Sequence, residues 1–210
     1  MAKVLMVVSG ASTLTLADGT EHPTGYWAEE VAASHRVLSE AGLVVEIATP
    51  GGTVPVIDPI SLDARGGVDP AEGESFSAYL ATVGDLATPR ALGDGRAEDY
   101  VAVFVPGGHA PMADLADDPD LGRLLTESDT DRRLVAALCH GVAGLLSARR
   151  EDGSFAFAGR RVTSFTDEEE RQGGLGDASP YLVESRLRER ERSSRPARRG
   201  AAPSWSTGTS

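Results

Sequence analysis

Leu138-Cys139-His140-Gly141 sets a thiol, an imidazole and a glycine in succession at the end of an apolar run, Leu134-Val135-Ala136-Ala137-Leu138. A cysteine on a sharp strand-to-helix turn presents its sulfur at the carboxyl edge of a sheet and its amide near a helix N-terminus. That is the arrangement of a nucleophile elbow, with Cys in place of Ser. Gly141 gives the close backbone approach such a turn requires. A helix N-terminus and a neighbouring imidazole both favour thiolate, and comparable thiols have pKa values of about 3.5 to 7.5. An acidic, reactive thiol is therefore expected. Single cysteines are more often small buried hydrophobes, but a core cysteine has no reason to sit at an elbow followed by His-Gly.

Three other segments carry candidate groups. Pro106-Gly107-Gly108-His109 follows another apolar run, and two glycines there would let backbone N–H groups approach a ligand. An ordinary strand-to-helix turn would carry the same Gly-Gly pair, so the pair alone decides nothing. In the segment after Gly25, Trp27, Val31, Ser34, Leu38 and Ala41 share one face at about 100° per residue. Glu30 lies at the edge of that inward face, while Glu29 points away. A glutamate turned toward the sheet is a candidate proton carrier for the thiol, although helical phase alone favours a solvated flank residue. Tyr26 and Trp27 either line a pocket or belong to the core. Asp167-Glu168-Glu169-Glu170 reads mainly as a solvated helix start with acids on its dipole. One of the four could orient His140, and spacing does not say which. His22, His35, His109 and His140 lie far apart in sequence, so the sequence offers no convincing metal cluster.

The elements that must position these groups alternate. Lys3–Ser9, Leu43–Ala48, Val101–Val105 and Leu134–Leu138 are unbroken apolar runs without a two-residue period, which marks strands buried on both faces. A fifth strand is expected over Arg161–Phe165. Helices are expected over Gly25–Gly42, around Phe76–Leu86, around Leu115–Ser128 and over Gly141–Ala148. This predicts an α/β three-layer sandwich with a mostly parallel, flavodoxin-like sheet. Ligands of such sheets bind at the strands' carboxyl ends, where the candidate groups cluster.

A length of 210 residues, 40% hydrophobic and 25% charged, fits one soluble domain and excludes collagen-like, mucin-like and wholly disordered readings. No apolar run reaches the ~20 residues that span a bilayer, and Met1-Ala2-Lys3 leads into a strand without a signal-peptide pattern. One cysteine excludes an internal disulfide, and the expected compartment is the cytoplasm. The net charge is −12, yet seven arginines against two glutamates fall in the last 25 positions. The body is thus strongly acidic and is expected to bind neither nucleic acid nor an anionic membrane. The domain is placed at residues 1–191. An Arg/Ser/Pro-rich tail, expected to be disordered, is placed at 192–210.

The chain resembles the ThiJ/PfpI superfamily, the class I glutamine amidotransferase-like fold. The likeness rests on Thr24–Glu30, Pro50-Gly51-Gly52 with Pro55 and Asp58-Pro59, Val105–His109, Leu115–Pro119, Ala137–Gly141 and Ser164–Glu170, in that order. The 50–100 insert and Phe165-Thr166-Asp167 resemble the branch of glutathione-independent glyoxalases (glyoxalase III, D-lactate dehydratase) and heat-inducible chaperones. The resemblance implies that Cys139 is the nucleophile, His140 its partner, Glu30 the carboxylate at the thiol and Glu170 the acid completing a triad. It also implies an oxyanion hole from the amides of Gly108 and His140, with Gly107, His109, Tyr26 and Trp27 around the substrate. The implied activity converts methylglyoxal and related 2-oxoaldehydes to 2-hydroxy acids in a homodimer without a cofactor. Two departures stand out. Ala110 replaces a glycine common after the histidine, and the Arg-rich C-terminus replaces a strand, an Asn-Pro turn and a terminal helix. Competing readings are an amidase, peptidase or deglycase, a chaperone or thiol-oxidation sensor, and an inactive remnant. Amidotransferases take their histidine from a distant segment, unlike Cys139-His140.

Overall fold

The computed structural model describes residues 1–173 and 175–194. Strand β1 (Lys3–Val7) leads to a hairpin, β2 (Thr13–Thr15) and β3 (Glu21–Pro23), then α1 (Ala28–Glu40) and β4 (Val44–Thr49). After a stretch of short turns come α2 (Pro70–Leu80), α3 (Gly84–Ala87), β5 (Arg90–Ala91) and β6 (Ala102–Val105). Then follow α4 (Pro111–Asp114), α5 (Pro119–Thr130) and β7 (Leu134–Ala137), a 3-10 segment over Cys139–Ser147, α6 (Asp167–Gln172) and α7 (Val183–Ser193).

The main sheet has the order β5-β4-β1-β6-β7, and every pairing is parallel. In register, Leu5 faces Glu46 on one side and Val103 on the other, and Val105 faces Ala137. The chain leaves β1 for β4 on one side and returns to β6 on the other. The crevice of a doubly wound sheet opens at such a reversal.

The apolar runs form strands because both faces are covered. Leu5 and Val7 pack with Leu121, Leu124 and Leu125 of α5 in one core, while Met6 and Val8 pack with Val31 of α1 and Ile47 in the other. Removing a side chain such as Leu5, fully buried, would cost about 2–5 kcal/mol through lost burial and the cavity left behind.

Two expectations about elements are corrected here, and two features appear that the sequence did not indicate. Arg161–Phe165 is not a strand, and β7 pairs only with β6 among the described residues. The segment lines a shared cavity with Leu134, Val135 and Ala137 of β7 without pairing to them, and at its end the Phe165 ring stacks on His140 at 5.0 Å. The hairpin β2–β3 and the two-residue β5 carry no apolar run and were not expected. Helix α7 continues to Ser193, two residues into the segment assigned to the tail; Ser185 hydrogen-bonds Asp167 at its start, and Glu191 and Ser194 accept the Gly159 and Phe155 N–H groups at its end. Residues 195–210 lie outside the described residues.

Candidate active site

Leu138 is extended, and Cys139 turns sharply at φ 52°, a left-handed conformation that a non-glycine residue holds at a cost of about 1–3 kcal/mol. The turn closes because residue 141 has no side chain. A Cβ there would lie 2.2 Å from the Val105 carbonyl oxygen. The β6 end matches it: Gly108 has φ +89°, and a Cβ on it would lie 2.3 Å from the Gly25 oxygen. The ends of β6 and β7 and the residues just before α1 thus pack backbone against backbone around the elbow.

The thiol sits between an imidazole and a carboxylate. Cys139 Sγ is 3.5 Å from His140 Nδ1, and His140 Nε2 lies 3.0 and 3.1 Å from the two carboxylate oxygens of Glu170. Both His140 and Glu170 are buried, at 6% and 5% exposure, so this charge-assisted contact is shielded from water. The acid holds the proton on Nε2 and leaves the Nδ1 lone pair toward sulfur. Glu170 reaches inward because Thr166 and Glu169 form a reciprocal capping box that fixes the first turn of α6.

On the other side Glu30 hydrogen-bonds the thiol, and its Oε2 accepts the Gly107 N–H at 2.7 Å. The start of α1 is held by the insert. Ser61 Oγ accepts the Ala28 N–H at 3.0 Å and donates to the Asp58 carbonyl at 2.7 Å. The fully buried Asp58 carboxylate accepts from Thr24 Oγ1 and from the Ile60 N–H.

The electrostatics correct the expectation of an acidic thiol. Burial, and after it the Glu30 charge, push the Cys139 thiol up to about 12. Burial also raises Glu30 above the ordinary carboxylate range. Two acids in one desolvated site cannot both ionise cheaply. The Gly108 and His140 amides donate toward the sulfur and pull its pKa down, but less strongly. The segment after Cys139 is a 3-10 turn and not an α-helix, so the expected pull of an α-helix dipole is missing.

A cavity of 230 Å³ opens on the sulfur, lined by Trp27, Gly108, His109, Cys139, His140, Phe165, Glu169, Glu170, Gly173 and Leu175. It is smaller than the ~300–1,000 Å³ of drug-sized ligand sites. Most expected site residues meet here. Tyr26 does not: it is 3% exposed within the core beside α1. The Gly107 amide is occupied by Glu30. Phe165, Gly173 and Leu175 were not expected at the site, and only Phe165, an aromatic at a strand-like end, left a signal; Glu169 was one of four acids weighed as a partner for His140 and lines the cavity instead. Among the described residues no group of three His, Cys, Asp or Glu side chains could hold a metal ion. None of the described helices is long and apolar enough to cross a membrane.

Residues 22–167 match the ThiJ/PfpI family-like group. The protein/nucleic acid deglycase HchA of Staphylococcus aureus is 31% identical over 79% of this chain and 56% of its own length. The chain therefore spans little more than half the length of that relative. One crystal structure is 39% identical with a TM-score of 0.73, over 90% of this chain and 79% of that one. Glyoxalase III of Candida albicans is 23% identical with a TM-score of 0.73, over 90% of this chain and 80% of its own, a likeness of fold. A parallel sheet carrying Cys-His-Gly at a strained elbow, a family match over most of its length and a relative above 30% identity lead to one conclusion: the chain belongs to the ThiJ/PfpI family.

Proposed function

We propose that the chain is a glutathione-independent glyoxalase that converts methylglyoxal and related 2-oxoaldehydes to 2-hydroxy acids through a Cys139 hemithioacetal. The observation that carries this reading is the thiol held between His140–Glu170 and Glu30, two proton carriers on opposite sides of one nucleophile. Because the thiol is not acidic, it loses its proton as it attacks. Sulfur bonds to the aldehyde carbon while the proton passes to His140 Nδ1, and Glu170 stabilises the imidazolium. The new alkoxide lies against the Gly108 and His140 amides and takes the proton back from His140.

Glu30, as carboxylate, then removes the hydrogen of the former aldehyde carbon as a proton and returns it to the neighbouring carbon. The hydroxyl proton on the first carbon moves to the second oxygen, leaving a lactate thioester on Cys139. The sequence is redox-neutral and needs no external electron carrier. Water adds to the thioester, the C–S bond breaks, and the sulfur leaves as thiol.

The 31% identity to a protein named as a deglycase supports a second reading, in which the same attack releases an amine from an aldehyde adduct. The 230 Å³ cavity favours the small free aldehyde. The two readings separate in a competition between free methylglyoxal and its adduct with N-acetylarginine, with lactate followed by NMR. Faster lactate formation from the free aldehyde supports the glyoxalase; lactate from the adduct alone would replace it with the deglycase.

A further inference from the structure

His109 has no part in these steps, yet its ring lines the cavity 4.5 Å from the His140 ring, tilted by 41°. Its Nδ1 is buried without a hydrogen-bond partner. With Nδ1 sealed, the edge left to meet the cavity is the one carrying Nε2. An orphaned buried N–H is rarer and costlier than an unused lone pair. The proton of the neutral ring therefore belongs on Nε2, facing the cavity. Burial, reinforced by His140, pushes the His109 pKa down to about 4, so the ring is uncharged at neutral pH. An uncharged imidazole N–H is a good donor to an oxygen on which negative charge develops, because its proton is not lost to that oxygen.

We propose that His109 Nε2–H binds the second oxygen of a 1,2-dicarbonyl whose first carbonyl carbon is attacked by Cys139, and so selects 2-oxoaldehydes over simple aldehydes. This rests on the glyoxalase reading and adds what that reading lacks, a group that reads the adjacent carbonyl. In the proton shift this oxygen becomes the enolate oxygen. The contact then strengthens between the hemithioacetal and the enediolate, which makes His109 a catalytic residue as well as a selective one.

Cys139 is the sole cysteine of the chain, so its alkylation by iodoacetamide reports occupancy of the site directly. The experiment measures how much methylglyoxal, and how much propanal, halves the alkylation rate in the wild type, His109→Phe and His109→Gln. Turnover of methylglyoxal is measured in parallel. Phe keeps the ring and loses the donor; Gln restores a neutral N–H. Intrinsic electrophilicity cancels when each variant's methylglyoxal-to-propanal ratio is divided by the wild-type ratio. One neutral hydrogen bond corresponds to about a 2–12-fold change.

The expected result is a several-fold loss of dicarbonyl preference in His109→Phe, a larger loss in kcat/KM, unchanged propanal protection and partial rescue in His109→Gln. Unchanged propanal protection also shows that the variant is folded at the site. A wild type protected by methylglyoxal, with His109→Phe keeping the full preference, would overturn the His109 assignment alone. A wild type neither protected by methylglyoxal nor turning it over would overturn the glyoxalase reading and this proposal with it.

Discussion

Glu170→Gln tests the relay at its most buried point. The carboxylate meets His140 Nε2 at 3.0 and 3.1 Å, with both residues at most 6% exposed. Glutamine has the same shape, and its amide oxygen can still accept the Nε2–H. The substitution removes the charge and leaves the geometry. A hydrogen bond to a charged group contributes about 1.5–3 kcal/mol and a neutral one about 0.5–1.5 kcal/mol. The difference, about 1–2 kcal/mol, applies in full only when His140 becomes an imidazolium, which happens as the thiol attacks. At 1.4 kcal/mol per factor of ten, kcat should fall about 5–30-fold. KM should change little, because Glu170 binds no part of the substrate in this mechanism. Glu170→Ala should lose more, since it leaves a buried imidazole without a partner. Initial rates of methylglyoxal consumption, with melting temperatures as a folding control, read the effect. A folded Glu170→Gln within twofold of wild-type kcat would refute the idea that the acid stabilises a transient imidazolium.

Four further outcomes are expected. Glu30→Gln removes the charge that helps to raise the Cys139 thiol; alkylation at pH 8 should accelerate while turnover falls at least tenfold, and parallel losses would contradict the proton-carrier role. Gly141→Ala places a Cβ 2.2 Å from the Val105 oxygen, and its melting temperature should drop by several degrees, in line with a loss of about 1–3 kcal/mol for overpacking. Phe165→Ala removes the ring stacked on His140 at 5.0 Å; it should raise KM and expose Cys139 to faster alkylation with little effect on stability. His109 is neutral in the fold down to about 4 from an ordinary 6.5. Between those values the unfolded chain binds the extra proton, so this residue's contribution to stability is present above 6.5 and lost as pH falls toward 4. The melting temperature of the wild type should therefore fall relative to that of His109→Phe across that window, and a constant difference would contradict it.

Four of the five main-sheet strands were legible because burial on both faces leaves unbroken apolar runs, and the elbow was legible because it must follow one of them. Glu30 was half legible. Its helical phase put it at the edge of the inward face, but only contact with Cys139 and the Gly107 amide distinguishes a half-buried carboxylate at the thiol from a solvated one. Glu170 was indicated by the family resemblance and by no spacing rule, since its partner lies 30 residues away. Arg161–Phe165 has the composition of a strand, yet it does not pair with β7, and composition does not show that Phe165 stacks on His140. Tyr26 and Trp27 are neighbours with opposite fates, one in the core and one at the cavity. The direction of the thiol pKa was misread for a related reason. Sequence shows the imidazole beside the cysteine, but burial and a carboxylate brought from α1 decide the sign.

The most direct measurement is D-lactate formation from methylglyoxal without glutathione, by the wild type and by Cys139→Ala. The account predicts steady lactate formation by the wild type and none above background by the variant. A folded wild type that forms no lactate, or a variant that forms it at the wild-type rate, would contradict Cys139 as the nucleophile of a glyoxalase.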